Sequence, residues 1–214
     1  MSTQFDLIVF DLDGTLVETR EDLAASVNYA LGATGLPELD VETIVHFVGD
    51  GALKLIQRSL GGDGDEALCD EVLKIFLGHY EDNCTEKSVA YPGVKEIIPG
   101  LSPLSLAVLT NKPAGPTEII LDSLGLKACF GKVIGGDSKY GRKPDPAGLL
   151  EILSGIQVEP ARALLVGDTS VDVRTARNAG CLCAGVQYGF RPGDFVKDPP
   201  DFLFDEFSDL LKVL

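Results

Sequence analysis

Asp11 and Asp13 stand two residues apart at the end of an apolar run. Residues Phe5 to Phe10 read as a short buried strand, because nearly all are apolar and Ile8 and Val9 are β-branched. Asp11 then falls at the carboxyl edge of that strand and Asp13 in the loop beyond it. In an open α/β sheet this edge is where ligands and chemistry collect. A carboxylate there can attack phosphorus and form an aspartyl phosphate. A hard cation on oxygen ligands would screen the charges that meet. Gly14 lets the chain turn sharply. A plain strand followed by an Asp-rich turn has the same local pattern, so the pair needs partners elsewhere in the chain.

Those partners stand at later strand ends. The predicted strand Leu104–Leu109 ends at Thr110-Asn111-Lys112. The Thr110 hydroxyl can donate to a phosphate oxygen and the Asn111 backbone amide can help, while Lys112 reads as a solvated surface lysine. A strand at 132–134 leads towards Lys143, held between Arg142 and Pro144. A lysine there can balance charge on a nucleophile and on a transferring phosphoryl group; alone it would pass for a surface lysine. The strand Ala163–Val166 ends at Gly167-Asp168, with Asp172 four residues beyond Asp168. Asp168 suits a metal ligand and Asp172, on the same side of the next helix, can orient the metal's shell. Acids also favour helix N-termini without any ligand. Four such strand ends in one chain are harder to explain that way than any one of them.

The totals narrow the partners. The chain has 214 residues, enough for one domain or for one with a modest insertion. Hydrophobic residues are 45% and charged residues 24%, an ordinary globular balance. Lys plus Arg number 18 against 33 Asp plus Glu, a net charge of −15. This argues against nucleic acid and anionic membranes, and it means an anionic substrate needs local cations. Five cysteines, none in C-x-x-C spacing, and two histidines give no zinc site. The sequence has no apolar run near the roughly 18 residues needed to span a bilayer and no basic leader. A cytoplasmic chain with reduced thiols is the expectation. Monomer and homodimer are both open.

Between residues 17 and 86 the periodicity is helical, with apolar runs around Leu23–Leu31, Ile44–Val48, Leu53–Leu60 and Leu68–Tyr80, and no strand is predicted. From Tyr91 onward strands and helices alternate to a last strand near 201–204 and a terminal helix. A helical block between a first strand and later βα units reads as an insertion. The predicted architecture is α/β: a doubly wound, mostly parallel Rossmann-like core from 1–16 and 87–214, with an all-helical cap at 17–86.

The ordered set Asp11-Leu12-Asp13-Gly14-Thr15, Thr110-Asn111, Lys143 in Arg142–Pro146, and Gly167–Asp172 resembles the haloacid dehalogenase-like phosphohydrolase superfamily over nearly the whole chain. The resemblance implies Asp11 as nucleophile and Asp13 as general acid and base. It implies Mg²⁺ held by Asp11, the Asp13 main-chain carbonyl and Asp168, with Thr110 and Lys143 on the phosphoryl group. A bell-shaped or acid-limited pH profile follows from the proton that Asp13 must lose and regain. Within the superfamily, Tyr91-Pro92-Gly93-Val94, Thr110-Asn111-Lys112 and Val48–Ala52 are similar to phosphoglycolate phosphatases and their neighbours.

The implied reaction is therefore Mg²⁺-dependent hydrolysis of a small phosphorylated metabolite, 2-phosphoglycolate first. Pyrophosphate, sugar phosphates and nucleotides are sister substrates, with a phosphomutase or a receiver-like signalling domain further off. A lid can read the leaving group, and His46, Asp50 and Lys54 are the candidates for that in the helical block. His46 also reads as a helix-surface residue, and His79 as structural. The proline-bearing link 99–104 is tighter than the helix and loop such relatives usually carry.

Overall fold

A computed structural model describes residues 4–62 and 65–214. The elements in chain order are β1 (Leu7–Phe10), β2 (Val17–Glu18), α1 (Arg20–Ala33), α2 (Val41–Phe47), α3 (Ala52–Ser59), α4 (Glu66–Asn83) and β3 (Val89–Ala90). They continue with α5 (Val94–Ile97), β4 (Ser105–Leu109), α6 (Ala114–Ser123), β5 (Lys132–Ile134), α7 (Ala147–Ile156), β6 (Ala163–Gly167), α8 (Ser170–Ala179), β7 (Leu182–Val186) and β8 (Phe202–Phe204). Six strands form one parallel sheet in the order β5-β4-β1-β6-β7-β8. The expected α/β architecture is the one observed.

β1 lies at the centre of the sheet because all four of its side chains find apolar cover. Leu7 and Val9 pack with Leu149 and Ile152 of α7 and Val173 and Ala176 of α8. Ile8 and Phe10 point to the other face, among Ile120 and Leu121 of α6, Val94 of α5 and Phe207. The two-residue alternation of a strand thus distributes one apolar run over two layers of helices. At the carboxyl edge every one of these strands delivers its following loop to the same side, where the charged residues gather.

The helices α1 to α4 lie between β1 and β4 in the chain and share one apolar core, including Leu23, Val27, Ile44, Ile56, Val72 and Phe76, with that second face of the sheet. Asp40 and Asp65 fix the starts of α2 and α4 by accepting from Thr43 N at 2.8 Å and from Ala67 N at 3.0 Å. Where no strand was predicted, Val17–Glu18 pairs antiparallel with Val89–Ala90. Two residues are too few to show any alternation, so this ribbon was invisible in the sequence. Glu18 anchors it: its carboxylate takes the Tyr91 hydroxyl at 2.9 Å and Arg20 Nε at 2.8 Å. The terminal helix is a short 3₁₀ turn, Phe207–Lys212.

Candidate active site

β1 ends where the Asp11 amide donates to Val166 O of β6 at 2.9 Å. One carboxylate oxygen of Asp11, Oδ1, accepts from Leu12 N at 2.8 Å and meets Lys143 Nζ at 2.9 Å. Oδ2 has no protein partner among the described residues. Asp13 is held from two sides, Oδ1 by the Thr19 hydroxyl at 2.6 Å and Oδ2 by Lys112 Nζ at 2.9 Å. Directly after Asp13 the chain turns at Gly14, whose φ is +76°. A Cβ there would stand 2.2 Å from Asp168 Oδ2, so glycine is required for space as well as for conformation.

The other strand ends converge on this turn. Thr110 is buried after β4, and its hydroxyl accepts from Lys112 N at 3.2 Å. The Asn111 side chain takes Lys143 N on Oδ1 at 2.7 Å and donates from Nδ2 to Lys143 O at 3.0 Å and to Gly49 O at 2.8 Å. It therefore fixes the lysine loop and the loop before α3 at once. Lys143 Nζ lies between Asp11 Oδ1 and Asp172 Oδ1, the latter at 2.6 Å. The second oxygen of Asp172 closes the start of α8, accepting from Thr169 N at 3.2 Å and the Thr169 hydroxyl at 2.9 Å. Asp172 thus acts on Lys143 and on its own helix, with both oxygens engaged. Asp168 Oδ2 accepts from Phe190 N at 2.8 Å. Its other oxygen has no protein partner among the described residues.

The electrostatics follow from burial. Desolvation pushes the Asp11 carboxyl from 3.8 up to about 6, against the pull of Lys143. Desolvation, then Asp11 and Asp172, pushes Asp168 well above the usual carboxylate range. Burial pulls Lys143 down, but Asp11 and Asp172 outweigh it and hold the ammonium above its ordinary value. Oxygens of Asp11, Asp168 and Asp172 lie within 4.8 Å of one another. Buried like charges this close favour a bound cation, and an all-oxygen donor set suits a hard one.

A cavity opens onto these groups. Its lining includes Asp11, Asp13, Thr110, Asn111, Lys112 and Asp168 from the strand ends, and Val48, Gly49, Gly51, Ala52, Leu55, Phe76 and Tyr80 from the helical segment. The structure does not bring His46, Asp50 or Lys54 to it. His46 and Lys54 are exposed, and Asp50 pairs with Arg58 at 2.6 Å. α2 and α3 turn their apolar stripes inward, which leaves their polar residues outside. His79 bonds Ser26 Oγ at 3.0 Å and stacks on Tyr29, away from the cavity.

Lys112 is a correction. Read as a surface lysine, it is instead buried, paired with Asp13 and seated 4.5 Å over the Tyr80 ring. A second feature that sequence reasoning missed is the loop after β7. Gly189 lies so near the site that a Cβ would stand 2.3 Å from Asp168 Cβ and 2.6 Å from Gly14 O. The signal for it was available: it follows a fifth apolar strand at the same sheet edge.

A family model described as haloacid dehalogenase-like hydrolase matches residues 8–186. The chain belongs to that family. It is 38% identical over 224 aligned residues to a phosphoglycolate phosphatase of Haemophilus influenzae (strain 86-028NP), with all of both chains covered. It is 37% identical over 213 residues to a phosphoglycolate phosphatase of Pseudomonas putida, covering 96% of this chain and 78% of that protein. A crystal structure described as a predicted phosphoglycolate phosphatase from Haemophilus somnus 129PT superposes with a TM-score of 0.93 at 34% identity, covering 100% of this chain and 99% of that one. Membership in the family together with these relatives makes the protein a phosphatase, an enzyme that hydrolyses a phosphorylated small molecule.

Proposed function

We propose that the chain is a Mg²⁺-dependent phosphomonoesterase that turns over 2-phosphoglycolate through an aspartyl phosphate in the cytoplasm, with 17–86 as a cap on a core of 1–16 and 87–214. The observation that carries this is the state of Asp11: Oδ1 is tied down by Leu12 N and Lys143, while Oδ2 is left without a protein partner among the described residues. One oxygen is positioned and the other is left for bond formation.

Asp11 Oδ2 attacks phosphorus, the ester P–O bond breaks, and Asp13 gives a proton to the departing oxygen. A water molecule then attacks the same phosphorus and passes a proton to Asp13. The bond to Asp11 breaks and inorganic phosphate leaves. Thr110, the Asn111 main-chain amide and Lys143 hold the phosphoryl oxygens, with Lys143 balancing charge next to the nucleophile. Mg²⁺ fits the donors: Asp11, the Asp13 carbonyl and Asp168 would hold it, with Asp172 behind them. When bound, it screens the nucleophile from the phosphoryl charge.

The relatives that this chain matches over its length are named phosphoglycolate phosphatase, and this favours phosphoglycolate as substrate. The test is a ranking of specificity constants for 2-phosphoglycolate, pyrophosphate, sugar phosphates and nucleoside monophosphates, with Mg²⁺ and with a chelator. Phosphoglycolate should rank first and the chelator should abolish turnover. A nucleotide or sugar phosphate ranking ahead of it overturns the substrate.

A further inference from the structure

The two lysines of the site are not equivalent. Lys143 Nζ is neutralised twice, by Asp11 and by Asp172. Lys112 Nζ meets one carboxylate oxygen, Asp13 Oδ2, and the face of the Tyr80 ring. Its side chain is only 3% exposed. An ammonium carries three donors, and a buried one with few oxygen partners has donors to spare. Among the described residues that line the cavity, Lys112 is also the one cation. Around it the wall is apolar, with Leu23, Leu55, Phe76 and Leu77. That wall also holds an unsatisfied polar atom, since the buried Tyr80 hydroxyl has no hydrogen-bond partner among the described residues.

Position decides which part of the substrate Lys112 meets. Its partner Asp13 is the group that serves the departing oxygen in the mechanism above. Lys112 therefore stands on the leaving-group side, and Lys143, beside Asp11, on the phosphoryl side. We propose that Lys112 binds a carboxylate on the leaving group, so that the core itself selects the phosphate ester of a short hydroxy acid. The inference rests on the phosphatase reading and sharpens its substrate class. A carboxylate one carbon from the ester oxygen reaches a buried ammonium that has donors to spare. A neutral leaving group gains nothing from that ammonium. A longer acid carries its charge past Lys112 into the apolar wall, where it has no partner. In a chain of net charge −15 this local cation is what makes a doubly anionic substrate acceptable.

The test compares 2-phosphoglycolate with ethyl phosphate, which has the same two-carbon leaving group without the carboxylate. The wild-type chain should prefer phosphoglycolate by about 10- to 100-fold in kcat/KM, the range of a hydrogen bond to a charged group. Lys112→Met and Lys112→Gln should bring the two esters to within a few-fold of each other. Equal losses on both esters would mean that Lys112 only holds Asp13, and would overturn the proposal. A wild-type chain that hydrolyses both esters equally removes the carboxylate reading, whereas one that hydrolyses neither removes 2-phosphoglycolate as the substrate. Thermal melts establish that each variant folds. Independently of the variants, the ¹⁵N resonance of Lys112 Nζ in the Mg²⁺-loaded wild-type chain should move with 3-phosphonopropionate and stay with propylphosphonate. Equal responses to the two would also overturn the proposal.

Discussion

Asn111 donates its side-chain amide to Gly49 O at 2.8 Å, and so ties the end of β4 to the loop that leads into α3. The same side chain brackets Lys143 through the Lys143 N and O atoms. One buried amide therefore holds the helical segment and Lys143 in register. Asn111→Ala removes these bonds and leaves buried main-chain groups unpaired, a cost of about 1–3 kcal/mol each. The expected outcome is a 10- to 100-fold fall in kcat/KM, on the order of what a 1 Å misplacement causes. Hydrogen exchange should rise in residues 47–52. Unchanged exchange there would show that Asn111 does not hold this loop.

Gly189 and Asp168 are in closer approach than any side chain permits. Since a Cβ at 189 would meet Asp168 Cβ and the Gly14 carbonyl, Gly189→Ala must displace the carboxylate or the loop. The prediction is a loss of about 10²-fold in kcat/KM with weaker Mg²⁺ dependence, measured by titrating the metal. Wild-type affinity for Mg²⁺ in this variant would remove Asp168 from the metal site.

How much of this was legible in the sequence depends on length of signal. Phe5–Phe10 and the loops at Asp11, Thr110 and Asp168 were readable, because a buried strand followed by a polar tip is a pattern several residues long. Lys112 was not. Nothing in Thr110-Asn111-Lys112 distinguishes a lysine that leaves the sheet for water from one that folds back onto Asp13. That choice is made by Tyr80, more than thirty positions away, whose ring covers the ammonium. His46, Asp50 and Lys54 misled for the opposite reason. Polar residues in an insertion look like ligands until the helix faces are known, and these faces turn Leu55 and Val48 inward.

The buried trio Asp11–Lys143–Asp172 predicts strong coupling. Removing one member of a buried ion pair strands its partner and typically costs about 3–5 kcal/mol. Urea denaturation of Lys143→Met, Asp172→Ala and the double variant should show each single variant destabilised by that order. The double variant should cost less than the sum by about 0.5–3 kcal/mol. Strict additivity would mean that the 2.6 Å contact contributes nothing of its own.

If Asp11 forms the bond to phosphorus, Asp11→Asn should abolish turnover by at least about 10³-fold, comparable to loss of other covalent nucleophiles. The wild-type chain, quenched in acid during turnover, should carry one phosphoryl group on the peptide holding Asp11, and the variant none. Labelling of another residue reassigns the nucleophile.

Burial raises Asp11 from 3.8 to about 6 and Asp168 well above its ordinary value. In both, the folded chain keeps a proton to higher pH than the unfolded chain. Between the ordinary 3.8 and about 6 the folded state therefore binds more protons, and stability falls as pH rises through that window. Asp6, Asp40 and Asp209 behave oppositely: bonds from Arg162, Thr43 and Lys212 lower them, so their contribution is lost only when pH falls below the ordinary 3.8. The metal-free chain should thus melt higher at pH 5 than at about pH 7.5. A divalent cation binds the ionised carboxylates, so its stabilisation should be larger at the higher pH. With Mg²⁺ at a hundred times its Kd the gain is about 2.7 kcal/mol, some 5–10 °C in a chain of this size. Asp168→Asn should flatten both trends. Equal Mg²⁺ shifts at the two pH values, or an undiminished shift in Asp168→Asn, would place the ion elsewhere.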